Sequence, residues 1–455
     1  MQRPLVSWMA AILLTMIGVR VGAQTPAWLE SYRARAARLV REATANDFAW
    51  QRLAALTDAA GPRLSGSPGL DRAIAWAVDE LKRDGLENVH TERVMVPKWV
   101  RGRESLEMID PARRALVMLG LGGSVGTPPE GIQAEVLVVR RLADLDANAA
   151  RVRGRIVVLN VPFTNYDETR PIRSDGASRA ARLGAVAALI RSVGPPGLRL
   201  AHTGSLRYAT DAPAIPAAAI ATEDADLLQR MSDRGTPVVV RLTMEAHTEA
   251  DVESANVVAE LRGRELPDEY VVVGGHLDSW DVGAGASDDG TGCVVTWEAL
   301  RLMKTLGLRP RRTVRLVLWT NEENGVRGGS AYRDAHRDEL PRHVLMLESD
   351  IGVFKATGFG FSGDARARGT VTAIASLLQG LGLDRIDPVA DGSDIEASVQ
   401  AANIPAMSLE AGGDYFLIHH TPADTVDKIS PIDLARCAAA VAVMAYVIAD
   451  MPGRL

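Results

Sequence analysis

The chain has 455 residues, 47% hydrophobic and 24% charged, a balance that excludes a disordered or low-complexity polymer. A formal charge of −6 with dispersed arginines argues against nucleic-acid binding. The length exceeds what one hydrophobic core usually organises, so more than one domain is expected.

The chain opens MQRPLVSWMAAILLTMIGVRVGAQTP. Arg3 supplies a positive start, Leu5 to Val19 an apolar stretch, and Val21-Gly22-Ala23 a small-residue cleavage site. Residues 1–23 therefore read as a signal peptide, cut before Gln24. A membrane anchor is the alternative, but the run is shorter than the roughly 20 residues a span needs, and Arg20 interrupts it. Removing Arg3 and Arg20 takes the charge from −6 to about −8. No later stretch reads as a bilayer span, and the mature chain is expected to be secreted or periplasmic.

Residues 28–58 carry helical apolar spacing (Leu29, Tyr32, Ala36, Leu39, Val40). GPRLSGSPGL (61–70) is a turn-rich break, and residues 70–86 are again an amphipathic helix. VMLGLGGSVGTPPEG (117–131) reads as a boundary. Beyond it, to about residue 245, short β-type runs alternate with loops and helical pieces: AEVLVV, GRIVVLNVPF, AVAALIR, IPAAAI and PVVVRL. After VESANVVAELRG (252–263) the alternation lengthens. EYVVVGGH precedes a helix at 290–306, RTVRLVLWT precedes another, IPAMSLEA is a later strand, and 431–449 is a closing helix. The expected fold is α/β: a mostly parallel sheet with helices on both faces, from residues 24–117 and 249–455, interrupted by a smaller β-rich unit at 118–248. Cys293 and Cys437, the two cysteines, lie in apolar helix-like contexts and read as buried thiols, with one disulfide as the alternative.

GGHLDSWDVGAGASDDGTG (274–292) follows the apolar strand and raises the chemical question. His276 and Asp278 lie two apart and face one way on an extended chain, the spacing of a metal-binding ring and an orienting carboxylate. Asp288 and Asp289 precede a helix, where aspartate is also a common cap; for Asp289 the cap is the favoured reading. Glu322-Glu323 ends a second strand, and Glu348 with Asp350 a third. DYFLIHHTPADT adds His419, His420 and Asp424. In an open α/β sheet these strand ends meet on one rim. A solvated acidic rim would not need histidine at both extremes. Nitrogen and oxygen donors without thiolate suit zinc, and a bridging carboxylate suits two ions. Gly122-Gly123-Ser124-Val125-Gly126 matches a nucleophile elbow, but Thr127-Pro128-Pro129 cannot supply the helix that must follow. Glycines 283, 285 and 290 have the wrong spacing for a dinucleotide loop.

His276-x-Asp278, Asp288-Asp289-Gly290, Glu322-Glu323, Asp350 and His420-Thr421 together resemble the M28 family of co-catalytic zinc exopeptidases, in matching order. GPRLSGS, PKWVRG, LGGSVGTP, NEENG, ESDIG and DYFLIHHTPADT resemble its carboxypeptidase Q type across nearly the whole mature chain. The resemblance implies a phosphorylase/hydrolase-like fold with an inserted protease-associated (PA) domain at 118–248. It implies two zinc ions: Asp288 bridging, His276 and Asp350 completing one position, Glu323 and His420 the other, and Glu322 as general base. It also implies a cis peptide between Asp288 and Asp289, and a homodimer. Asp278, Asp289 and Asp424 are then expected behind the ligands, and Ser393, Asp394, Tyr415, Trp280 and Asp281 are candidates for substrate contact. The expected activity is hydrolysis of dipeptides or short peptides. The alternatives are an aminopeptidase on longer peptides, a non-catalytic PA-bearing receptor, and single-zinc glutaminyl cyclisation.

Overall fold

The computed structural model describes residues 27–455, so the leader expected at 1–23 lies outside the described residues. Three helices come first, Ala27–Thr44, Phe48–Ala60 and Pro68–Arg83. Each carries an apolar stripe at three- and four-residue spacing, such as Leu29, Ala36 and Leu39 in the first. The third helix is started by Ser67, whose hydroxyl accepts from Leu70 N at 3.3 Å, with Pro68 following in the first turn.

Strand β1 (Glu87–Val100) begins one sheet, and the chain then leaves to build another. That second sheet comprises β2 (Glu104–Asp110), β3 (Arg114–Leu116), β4 (Met118–Gly120), β5 (Ile132–Val139), β6 (Ile156–Leu159), β7 (Ala187–Arg191), β8 (Ala217–Ile220) and β9 (Val239–Met244). The chain returns as β10 (His247–Leu261), followed by β11 (Leu266–His276), β12 (Arg312–Trp319), β13 (His343–Glu348), β14 (Gly358–Ser362), β15 (Arg385–Asp387) and β16 (Ala406–Glu410). β10 runs antiparallel along β1 from Glu87↔Glu260 to Val100↔His247. The ends of the excursion are thus held side by side, the connection an insertion needs. Its sheet starts earlier than position 118: β2 and β3 belong to it, and β4 lies inside the stretch that read as a boundary. Three-residue strands such as β3 and β4 carry too little alternation to register as strands in sequence.

The first sheet has the order β1-β10-β12-β11-β13-β16-β14-β15. Its middle is parallel (β12, β11, β13, β16), whereas the β1, β10 and β14 pairings beside it are antiparallel. Alternation along the strands gives each face its own layer. Val271, Val273, Leu316 and Leu318 point to the side covered by the three N-terminal helices, helix Thr291–Thr305 and helix Pro431–Asp450. Val272, Val317 and Met346 point to the other, where Tyr332, Leu340 and Ile395 pack. Each such fully buried aliphatic side chain is worth about 1.5–3 kcal/mol. The closing helix Pro431–Asp450 corrects one expectation, because it is long and apolar enough to cross a bilayer. However, 83% of its most apolar window is buried inside the fold, so its faces are taken up by the core. The second sheet, order β3-β2-β9-β5-β6-β7-β8-β4, packs helix Thr222–Asp233 on one face and helix Tyr166–Arg182 on the other. Cys293 and Cys437 are both buried and unbonded.

Candidate metal centre

Because β12, β11, β13 and β16 are parallel, their carboxyl ends open on one rim. β11 has its successor β12 on one side and β13 on the other, so the strand order reverses beside its end, where open α/β sheets place their sites. His276 is the last residue of β11. Asn321, Glu322 and Glu323 follow β12, and Asp350 follows β13. Asp288 precedes helix Thr291–Thr305, and His419 and His420 follow the short helix Tyr415–Ile418.

The side chains converge as two groups around Asp288. On one side His276 Nε2 lies 3.1 Å from Asp350 Oδ1 and 3.3 Å from Asp288 Oδ1. On the other, His420 Nε2 lies 3.2 Å from Asp288 Oδ2 and 3.1 Å from Glu323 Oε2. Four donors held tetrahedrally about 2.0–2.1 Å from a zinc ion stand about 3.3 Å from one another. The histidine-to-carboxylate edges in both groups are close to that length, and each histidine faces a different oxygen of Asp288. Asp288 Oδ2 and Glu323 Oε1 are buried without a hydrogen-bond donor, as lone pairs reserved for a cation would be. The donor set fits a pair of divalent ions of the zinc kind.

Both rings are anchored alike. His276 Nδ1 is 3.0 Å from Asp278 O, and His420 Nδ1 is 3.3 Å from Thr203 O. A backbone carbonyl at Nδ1 fixes the proton there and leaves Nε2 to accept. His419 lacks that anchor: its Nδ1 is buried with no partner, and its Nε2 is 3.5 Å from Asp288 Oδ2. Its ring stacks on His420 at 3.5 Å between centroids.

The expected orienting role of Asp278 takes a different form. Its backbone carbonyl holds the ring, while its carboxylate accepts from Glu322 N (3.1 Å) and Glu323 N (3.4 Å) and so sets the acidic turn. Asp289 ties two elements, accepting from His276 N at 3.1 Å and from Gly292 N at 2.9 Å in the first turn of the helix. The Asp288–Asp289 peptide is cis. Asp424 accepts from Ser287 N at 2.6 Å and Asp288 N at 3.1 Å, which fixes the shared aspartate from behind. Left-handed backbone at Asn321 (φ 66), Val326 (φ 52) and His420 (φ 59) is costly for non-glycine residues and is held only where surroundings over-determine it.

Electrostatically the cluster calls for positive charge. Burial would lower His276, but Asp350, Asp288 and Glu322 raise it well above the usual histidine value. Burial would also lower His420, yet Glu323 leads the neighbours that raise it well above. Burial and then Asp288 push Glu323 up to about 8, and burial pushes Asp350 up to about 7. Asp288 stays well below the carboxylate range in spite of burial, held by His276 and His420. Divalent cations at the centre would answer the same demand without protons.

Glu322 belongs to neither group. Its Oε2 is 4.0 Å from His276 Nε2, and its side chain is 18% exposed, so it stands at the open edge of the site. Ser393 lies on the wall shared by a cavity of about 110 Å³ that reaches Asp350 and one of about 900 Å³ that reaches Arg170 and Arg333. Asp394 is buried behind it with both carboxylate oxygens lacking donors; burial and then Glu348 raise it well above the carboxylate range. Tyr415 is buried with its ring 5.1 Å from that of His419. Trp280 is buried between His420, at 5.6 Å between rings, and Gly122, where a Cβ would come within 2.1 Å of the indole. Asp281 is drawn away into an ion pair with Arg101.

Sequence reasoning missed Arg63. The side chain is fully buried and donates to Leu277 O (2.7 Å), Ala284 O (2.6 Å) and Gly285 O (2.8 Å), clamping the loop between His276 and Asp288. Gly285 has φ 56, and a Cβ there would sit 2.9 Å from Arg63 Nη2. The signal was present in GPRLSGS, which contains Arg63.

A mixed α/β sheet with a histidine–carboxylate cluster at the carboxyl rim of its parallel strands has the make-up of a metal-dependent enzyme. Comparison with known proteins narrows the class. Residues 256–445 match the family described as Peptidase family M28. The chain is 48% identical over 403 residues to carboxypeptidase Q of Rattus norvegicus, covering 88% of this chain and 85% of that one. A crystal structure of a peptidase M28 precursor from Shewanella amazonensis SB2B superposes with a TM-score of 0.90 at 36% identity, covering 94% of this chain and 98% of that one. A zinc aminopeptidase from Bacillus subtilis shares the fold, with a TM-score of 0.67 at 21% identity over 89% of this chain and 96% of that one. The chain belongs to peptidase family M28 and is a metallopeptidase of the exopeptidase kind.

Proposed function

We propose that this protein is an exported dinuclear zinc exopeptidase that hydrolyses dipeptides or short peptides. The reading rests on one observation: Asp288 gives one oxygen to the His276–Asp350 group and the other to the His420–Glu323 group, both at zinc edge lengths. His276 and Asp350 would hold one ion, Glu323 and His420 the other, and Asp288 would bridge. When bound, such a pair of ions lowers the pKa of water and polarises a scissile carbonyl.

The remaining work falls to the chain's own groups. Glu322 takes the proton of the attacking water and returns it to the departing amine, a role that needs a carboxylate near the ligands but outside them. Asp278 aims that base through the backbone of the acidic turn. Asp289 and Asp424 hold the shared aspartate, and Ser393, Asp394, Tyr415, Trp280 and Asp281 are assigned to substrate binding or its support. The second sheet is read as the PA domain, and residues 1–23 as the leader of a secreted or periplasmic protein. The active form is read as a homodimer.

The test is a panel of dipeptides with free and with amidated C-termini. Free dipeptides should be cleaved and amidated ones should not, with chelator abolishing turnover and zinc or cobalt restoring it. Equal cleavage of amidated and longer substrates would replace the reading with an aminopeptidase. Metal binding without turnover would replace it with a receptor.

A further inference from the structure

The two candidate cation positions are built from different parts of the chain. Around His276 and Asp350 the polar supports described above come from the first-sheet unit: Asp278 O holds the ring, and Asp289 receives His276 N. Around His420 and Glu323 the first-sheet unit supplies the Asp278 carboxylate, which accepts from Glu323 N at 3.4 Å, but the ring of His420 and the carbonyl of Glu323 are held from elsewhere. There the second unit reaches across with a short strap at residues 202–206. Thr203 makes a two-way contact with His420: its N–H donates to His420 O at 3.0 Å, and its own carbonyl faces His420 Nδ1 at 3.3 Å. Two residues on, the Ser205 hydroxyl donates to the main-chain carbonyl of Glu323 at 2.6 Å. Successive contacts of the strap therefore seize one proposed ligand each.

The strap is itself rigidly held within its own unit. Gly122 N donates to Gly204 O and Leu206 N to Gly122 O, both at 3.0 Å. Thr203 Oγ1, fully buried, donates to Gly120 O at 2.8 Å. Arg173, also buried, donates to Thr203 O at 3.2 Å and lies against Gly204, where a Cβ would come within 2.3 Å of the guanidinium. Arg101 links the same strap to the loop after His276, through Thr203 Oγ1 at 3.3 Å and the Asp281 carboxylate.

We propose that the second unit is a structural component of one cation position and not of the other, with Ser205 and Thr203 as positioning residues for Glu323 and His420. The inference rests on the dinuclear reading above. Its physical basis is that partners which orient metal ligands are worth about 10- to 100-fold in metal affinity. A carbonyl acceptor at Nδ1 keeps the ring's proton off Nε2, and a hydroxyl on the Glu323 carbonyl fixes the turn from which its carboxylate projects. The strap supplies both to a single position. The second unit is thereby coupled to metal loading, so its displacement would loosen one ion selectively.

The experiment measures stepwise zinc release from the full chain in a chelator competition, reading bound equivalents directly, with cobalt absorption as a second signal. Ser205→Ala should leave one equivalent unchanged and weaken the other by about 10- to 100-fold. Ser205→Thr, which keeps the hydroxyl, should restore it. In a Glu323→Gln background, where that position is already impaired, Ser205→Ala should add no further loss. Two equivalents unchanged in Ser205→Ala, or both weakened alike, would overturn the inference while leaving the dinuclear reading intact. A single equivalent in the unaltered protein would overturn the dinuclear reading, and the inference with it.

Discussion

Asp424→Asn is the most instructive single change, because it removes no proposed ligand. The Asp424 carboxylate accepts from Ser287 N at 2.6 Å and from Asp288 N at 3.1 Å, both in buried surroundings. Asparagine offers one oxygen and one amide, so one of the two backbone donors must face another donor. A buried N–H left without an acceptor costs about 1–3 kcal/mol. The backbone can relieve this only by turning at Ser287 or Asp288, which would carry both Asp288 oxygens away from their positions between His276 and His420. Metal binding must then restore the geometry, and the same 1–3 kcal/mol leaves the binding energy, a loss of about 5- to 150-fold in affinity. Because Asp288 serves both groups, both equivalents should weaken together, in contrast to the selective loss expected for Ser205→Ala. The assay is zinc release against a chelator, with thermal unfolding of the metal-free protein as a control. Unchanged affinity for both equivalents would refute the claim that Asp424 fixes the shared aspartate.

Two further outcomes are expected. His343 is buried, its Nδ1 faces Glu339 O at 3.0 Å and its Nε2 faces Tyr332 Oη at 2.9 Å, an arrangement for the neutral ring. Burial lowers it from 6.5 to about 4, so the unfolded chain takes the proton first. The stability it contributes is complete above pH ~6.5, falls as pH drops toward ~4, and totals about 3 kcal/mol. Urea unfolding at pH 7 and 5 should show a smaller acid loss in His343→Gln, and an identical loss would contradict this. Burial raises the Cys293 thiol well above its usual value and pushes Cys437 up to about 12. Neither should react with a thiol reagent in the native protein, and both should after denaturation; labelling of the native chain would show either helix to be open.

Much of the first sheet was legible because its parallel strands are continuous apolar runs that end abruptly in chemistry. YVVV leads to GGHLD, VRLVLW to TNEE, and VLML to ESD. His276, Glu323 and Asp350 were legible for the same reason, each a few residues past such a run, and Asp288 because it lies just before a helix; His420 follows the short helix Tyr415–Ile418 and stood out as one of a histidine pair. The edge of the insertion was not legible. β2, β3 and β4 are short and partly exposed: β2 joins the sheet through β9 and β4 through β8, each about a hundred residues or more away in the chain, and β3 joins only by pairing with β2. The strap at 202–206 was illegible for a different reason: LAHTGSLRY has no periodicity, and Thr203 acts through its backbone, which any residue provides. The closing helix shows the reverse, since composition alone cannot separate a core helix from a span; only its packing does.

Glu322→Gln tests the central claim most directly, with bound zinc and turnover of a free dipeptide measured on the same sample. Glu322 stands 4.0 Å from His276 Nε2 and outside both ligand groups, so the isosteric amide should leave two equivalents bound. It cannot accept the water's proton, and turnover should fall by about 10²- to 10⁴-fold. Near-normal turnover, or loss of a zinc equivalent with the substitution, would contradict the assignment.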